Sequence, residues 1–325
     1  MQFVLEDIYS ITIKCDWCWT MGVEVFISIS IYMLAMLLIG YCAYRRTSNL
    51  SDYMLGGRNL GPVVTALSAG AADMSGWLLM GVPGAMYTTG VSSAWISIGL
   101  IIGAYLNYLI LAPRLRVHTE VADNAITIPD YLESRFEDNT KILRFVSAAV
   151  ILIFFTLYVS AGMVAGGKLF ESALGLDYQV GLLITAGVVV CYTLFGGFLA
   201  VSWTDAVQGC IMFIALLLVP IVVLMDIGGI PSSVNLIKQV DASRLDLFQG
   251  TTLLGIISLA AWGLGYFGQP HIIVRFMAIT SIKEIKKARK IGMSWMFFTV
   301  IGSMLTGLLG LAYYTKHNLQ ISDPE

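Results

Sequence analysis

Stretches of roughly twenty mostly apolar residues recur through the chain, about eight in number: Gly22–Tyr44, Pro62–Ala85, Ser92–Ala112, Leu143–Leu169, Val180–Ala200, Ala206–Leu224, Thr251–Ile272 and Ile291–Tyr314. Each has the length a helix needs to cross the ~30 Å hydrocarbon core of a bilayer. A spanning backbone must satisfy its own hydrogen bonds, which leaves helices or closed barrels. Barrel strands alternate apolar and polar residues, whereas Val150–Phe155 and Ile211–Leu218 are apolar throughout. The fold class predicted is all-α and integral to a membrane. The composition agrees, with 57% hydrophobic and 12% charged residues, where soluble domains carry about 25% charged residues.

Net charge is −2, so no basic field points to nucleic acid. The partners expected are a lipid bilayer and small solutes. When the spans alternate sides, Lys14, Lys168, Lys238, Arg244 and Lys316 fall on one side and the rest of the 19 Lys and Arg on the other. That asymmetry predicts an outside N-terminus and cytoplasmic loops after spans one, three and seven. It returns Ile321–Glu325 to the outside. Met1–Met21 has no basic leader and is interrupted by Glu6, Asp7 and Asp16, so it is not a signal peptide; residues 1–21 form an unassigned extension. Cys15 and Cys18 make a single C-x-x-C, short of the four ligands of a structural zinc site. In the polar loop Val117–Lys141, the amphipathic stretch Ile126–Phe136 opens at Thr127 and Pro129; it is either a surface-lying helix or a solvated connector. The basic run Ser281–Lys290 suits an anchor near anionic lipid.

Two spans are unlike the others. Ala66–Trp77 is dominated by small residues, with Asp73 near the middle of its span and Gly70 and Gly76 on either side. Ala260–Pro270 holds three glycines and ends in a proline, expected to break the helix. Paired interrupted helices in corresponding places point to the binding site of an inverted-repeat transporter. A carboxylate at mid-membrane costs about 3 kcal/mol on insertion scales. No Lys or Arg is expected mid-span to pair with Asp73. A monovalent cation would compensate it, with oxygen ligands from freed carbonyls and Ser75; a protonated acid bonded to a neighbouring helix is the alternative. Trp262 and Tyr266, four apart, would share a helix face and suit a small ring or amine, or simple packing. Tyr158 lies mid-span with Ser160 and Gly162 nearby, where periodicity alone favours ordinary packing. Asp205 falls at a short turn and would cap the sixth span; Arg58 either orients the chain or gates the inner mouth. No phosphate-binding loop, Ser/His/Asp set or His-rich metal site is present, so an ATP-driven pump is disfavoured and no enzyme is expected.

The stretches TALSAGAADMSGWLLMGVPGA, FGGFLAVSWTD and WGLGYFGQPHI, with Gly56–Arg58, resemble the sodium:solute symporter family, from about Val23 onward. The likeness is strongest to its proline-carrying bacterial members. It implies a LeuT-type inverted-repeat fold: a leading helix at 22–44, a first repeat at 62–224, and two helices of a second repeat at 251–314. It implies that Asp73 is the acid required for sodium, that Ala71 and Met74 offer it backbone carbonyls, and that Ser75 and Gly76 lie beside ion or substrate. For L-proline it implies Gly76, Trp77, Gly81, Tyr158, Trp262, Tyr266 and Pro270. Arg58 and Asp205 match sensitive positions near the inner side. Ala72 stands where the family pattern has Ser. The family has further spans, one of which completes the sodium site with hydroxyls. The resemblance therefore implies an incomplete fold and a truncated chain that does not transport alone. The function expected is sodium-coupled L-proline symport across the bacterial plasma membrane, with Na+ as coupling ion and no other cofactor; another small organic solute, or solute sensing without transport, are the alternatives.

Overall fold

The computed structural model describes residues 23–319; the 1–21 extension with Cys15 and Cys18, and the terminal Ile321–Glu325, lie outside them. Among the described residues the chain forms helices and one isolated β-bridge, Leu60 to Ile279. In order these are α1 (Val23–Tyr44), α2 (Leu50–Leu55), α3 (Pro62–Gly76), α4 (Val82–Thr89), α5 (Ala94–Leu106), α6 (Ala112–Val121) and α7 (Ile128–Arg135). They continue with α8 (Ile142–Leu174), α9 (Tyr178–Ile227), α10 (Ile230–Asp241), α11 (Leu253–Ala260), α12 (Pro270–Ala278) and α13 (Ile282–Lys316).

Among the described residues, five segments are long and apolar enough to cross a membrane, and two of them, Pro62–Val121 with 60 residues and Tyr178–Ile227 with 50, far exceed one crossing. The stretches read separately from sequence are joined pairwise within these. The longer segment turns at Gly90–Ser93. The other bends at Gly197, whose φ of 58° lies in the left-handed region that only glycine enters freely. Both arms of α9 then pack along α1. Tyr192, before the bend, sits so close to Gly40 that a Cβ there would lie 2.6 Å from the Tyr192 Cβ. Gln208, after it, donates to the Tyr32 hydroxyl at 2.6 Å.

The core lies where α3, α12 and α13 meet the second arm of α9. Phe276, Met277, Met74, Leu78 and Val300 are all but sealed there, and Trp295 donates through Nε1 to the Gly209 carbonyl at 2.8 Å. By contrast α1 and α8 leave rows of Leu, Ile, Val and Phe exposed, apolar surface that hydrocarbon covers. The amphipathic stretch after α6 is helical: the Thr127 hydroxyl caps α7 by accepting from the Asp130 amide at 3.2 Å. Arg144 ties α7 to α8 through Asp130 at 2.6 Å and Glu133 at 3.1 Å. The basic run is the first part of α13, continuous with the apolar stretch that follows.

α5 and the Ala261–Phe267 segment approach backbone to backbone. A Cβ on Gly103 would collide with the Gly263 carbonyl, and one on Gly99 with that of Ala260. Small residues permit such approach where lipid supplies no hydrophobic drive between helices. Gly103→Val is expected to lower stability in detergent by about 1–3 kcal/mol, the range for overpacking. Gly187→Ala, at a site with nothing within 4 Å, serves as the silent control in the same thermal unfolding assay.

Candidate functional site

The first broken helix parts at Ser75, with φ 34° and ψ −145°. The glycines flanking Asp73 do not make the break, contrary to the sequence reading. Gly70 is helical and lies under the Trp295 indole, and Gly76 keeps helical angles at φ −63°. A non-glycine residue in that region costs of order 1–3 kcal/mol and is held only by its surroundings. Beyond it the chain makes a π-turn, Trp77–Gly81, before α4. The Ala72 carbonyl accepts from the Tyr158 hydroxyl at 2.6 Å. The Met74 carbonyl accepts the Trp77 amide, and that of Leu78 the Ser303 hydroxyl. Ala71 and Met74 are buried, Ala71 against Gly209 of α9. Gly81 holds the Trp77 ring close, 3.0 Å from where a Cβ would stand.

The second break also differs in detail. Pro270 does not interrupt a helix; it opens α12 after an extended Gln269, a first-turn position where its missing amide has no partner to lose. The residues before it, Ala261–Phe267, form a 3-10 helix. With three residues per turn, Trp262 and Tyr266 do not share a face. Trp262 is 57% exposed and stacks on Trp77, centroids 6.4 Å apart and planes 16° apart. Tyr266 is buried, and its hydroxyl donates to Asp73 Oδ2.

The two breaks therefore meet at Asp73. Its side chain is 11% exposed, and His271 Nε2 stands 3.8 Å from Oδ1. The His271 ring stacks on Tyr158 at 5.2 Å, and neither of its nitrogens has a hydrogen-bond partner among the described residues. Asn107 donates through Nδ2 to the Tyr266 carbonyl at 2.9 Å, which leaves its Oδ1 buried without a donor, as is the Tyr108 hydroxyl. Asp73, Asn107, Tyr108 and Tyr266 share the lining of a cavity of about 20 Å³, room for one water-sized occupant.

Asp205 and Arg275 correct the sequence reading most. Asp205 is not a cap at a turn, because α9 bends two turns earlier, at Gly197. Arg275, which the alternation of spans puts in the cytoplasmic loop after span seven, is instead 3% exposed within α12, and its Nη2 donates to Asp205 Oδ2 at 2.6 Å. A cationic side chain does lie mid-bundle, but it pairs with Asp205 and leaves Asp73 without one. Ser68, Asn107, His271 and Arg275 were missed. Of these Arg275 had a signal, a lone charge inside the apolar run Ile272–Ile279, masked by counting it as a topology determinant.

Arg58 is a clamp. Its guanidinium donates to Asn124 Oδ1 and Thr119 Oγ1, both at 3.1 Å, and to the Met277 and Ala125 carbonyls, both at 2.9 Å. Arg116 likewise holds the Ile279 carbonyl at 2.6 Å. Arginines spent on backbone carbonyls say less about which side faces the cytoplasm than solvated ones do.

Two helices broken at facing points around a largely buried acid, inside a multi-pass apolar bundle, are the pattern of a membrane transport protein's binding site. The profile of the sodium:solute symporter family matches residues 53–322, and the chain belongs to that family of transporters. It is 67% identical over 290 residues to the high-affinity proline transporter PutP of Bacillus subtilis (strain 168), covering 89% of this chain and 61% of that protein. It is 54% identical over 303 residues to sodium/proline symporter 2 of Staphylococcus saprophyticus, covering 93% and 59%. The chain thus spans about three fifths of the length of these relatives. A solved structure, described as the substrate-bound outward-open state of a Na+-coupled sialic acid symporter, superposes with a TM-score of 0.79 at 21% identity, covering 92% of this chain and 62% of that one. That likeness establishes the LeuT-type fold.

Arg58→Lys keeps the charge but cannot reproduce a four-acceptor fork. It is expected to cost about 2 kcal/mol, the scale of charged hydrogen bonds, and to speed proteolytic cleavage of the 122–125 loop, read by limited digestion in detergent.

Proposed function

We propose that this chain serves sodium-coupled symport of L-proline, and that Asp73 is the carboxylate that neutralises the ion. The observation that carries this reading is electrostatic. Asp73 is mostly but not fully buried at a helix break, and among the described residues the side chains that reach it are a tyrosine hydroxyl and a histidine, not a lysine or arginine. A buried charge persists only when paired or ligated, and a hard monovalent cation with carboxylate, hydroxyl and carbonyl oxygens suits the site, as oxygen ligands suit hard cations generally. Asp73, Ser75 and the carbonyls of Ala71 and Met74 are the ligands we assign. The names of the proline-transporting relatives support the substrate.

For L-proline we assign Gly76, Trp77, Gly81, Tyr158, Trp262, Tyr266 and Pro270. The Trp77–Trp262 stack offers flat apolar walls to a small saturated ring, and Tyr158 and Tyr266 supply hydroxyls beside the breaks, the few-polar-groups pattern of small-molecule sites. The protein then works as a carrier rather than an enzyme and needs no cofactor beyond the coupling ion. Residues 62–224 form the first repeat and 251–314 the start of the second. Arg58 and the basic start of α13 face the cytoplasm of a bacterial cell, with the N-terminus outside. The driving force is the sodium gradient together with membrane potential, about 2.3 kcal/mol per charge per 100 mV.

Asp73→Asn removes the charge and keeps the shape. In membrane vesicles and in a full-length context, it is expected to raise the sodium concentration for half-maximal labelled-proline uptake at least ~10-fold, the effect of losing about 1.4 kcal/mol of ion binding. Sodium dependence identical to that of the parent would remove Asp73 from the ion site.

A further inference from the structure

The buried pair at Asp205 and Arg275 has no part in the sites assigned above. Ser68 of α3, Asp205 in the second arm of α9 and Arg275 of α12 close a ring. The Ser68 hydroxyl donates to Asp205 Oδ2 at 2.8 Å. Arg275 donates through Nη2 to the same oxygen at 2.6 Å and through Nε to Ser68 Oγ at 2.6 Å. Its Nη1 takes the His271 carbonyl, and the Phe198 ring lies 5.7 Å from its guanidinium carbon. All three residues are buried. Such a pair adds little stability over apolar residues of the same size, but separating its members strands a charge. Its effect is to oppose one particular movement.

Which movement follows from the connections. The start of α3 and the end of α12 are joined: the Leu60 amide donates to the Ala278 carbonyl at 3.1 Å and the Thr280 amide to the Leu60 carbonyl at 3.0 Å. Arg58 holds Met277 at the same end. So α3 and α12 form one body. Among the described residues, the side-chain hydrogen bonds from that body to α9 all pass through Asp205. Beside the ring lies a cavity of about 390 Å³ that reaches from Ala72, Tyr158 and His271 at the breaks to Tyr53 and Phe198, with Asp205 and Arg275 in its wall.

We propose that Ser68, Asp205 and Arg275 are a latch that holds the α3–α12 body against the second arm of α9, and that its release widens this cavity into a path between the breaks and the Arg58 end of the bundle. Ser68 and Arg275 are thereby positioning residues for translocation, acting through helix placement. The inference rests on the transport reading.

The test uses a cysteine at Val201, which lines the same cavity one turn before Asp205, in protein whose native cysteines are serine. Membrane vesicles of both orientations are treated with an impermeant maleimide. Asp205→Asn and Arg275→Gln are each expected to speed labelling of Val201→Cys at least tenfold, with Arg275→Lys between them and the parent. Labelling of Ala312→Cys, fully buried in the other apolar cluster, stays unchanged. In the same variants the maximal rate of sodium-driven proline uptake falls at least tenfold, while half-saturating proline stays within twofold. Unchanged Val201→Cys labelling in both variants, or an equal rise at Ala312→Cys, overturns the latch. All variants are made in a full-length context; a full-length parent without sodium-dependent proline uptake overturns the transport reading instead, and the labelling contrast still decides the latch.

Discussion

A largely buried carboxylate with no lysine or arginine in reach among the described residues is the constraint around which the bundle is arranged. Asp73 sits where two helices stop being α-helical, and each interruption brings it something. The break at Ser75 frees backbone beside it, and the 3-10 stretch before Pro270 turns Tyr266 inward to donate a hydroxyl. A continuous helix in place of the 3-10 stretch would not turn Tyr266 toward the acid in this way, and a buried charge left without a partner is costly. Irregular backbone and buried charge are thus two parts of one solution, and each explains the other.

The molecule contains a second buried acid that it treats in the opposite way. Asp205 is paired with Arg275 and accepts from Ser68, both at Oδ2. The two carboxylates are joined through α12, since Arg275 also binds the carbonyl of His271, whose ring faces Asp73. One acid is left open to an occupant and the other is closed by a side chain, on two helices that this pair ties together. That division suits a protein that must bind at one point and hold its shape at another.

Much of this was readable before any coordinates. Apolar stretches of spanning length gave the class. The acid in a small-residue span and the Gly-rich approach to Pro270 located both breaks to within a few residues. What went astray did so for local reasons. Glycine is the expected breaking residue, but Gly70 lies under Trp295 and Gly76 keeps helical angles, so the left-handed backbone falls on Ser75. A 3.6-residue turn puts Trp262 and Tyr266 on one face, and a 3-10 segment rotates them apart. Charge in an apolar chain reads first as topology, which puts Arg275 in a loop.

By itself the sequence determined that the chain is helical, enters a membrane, and carries an acid at a weakened helix, because apolar run length and the cost of a mid-membrane charge are properties of a segment alone. Only the tertiary structure decided which groups answer that acid and which answer Arg275. Ser68, Asn107, Tyr158, Asp205 and His271 come from five helices, and nothing in a linear pattern ranks the contacts among them. Partner choice depends on how closely backbones approach at sites such as Gly103 and Gly263, and that distance is set by the whole bundle at once.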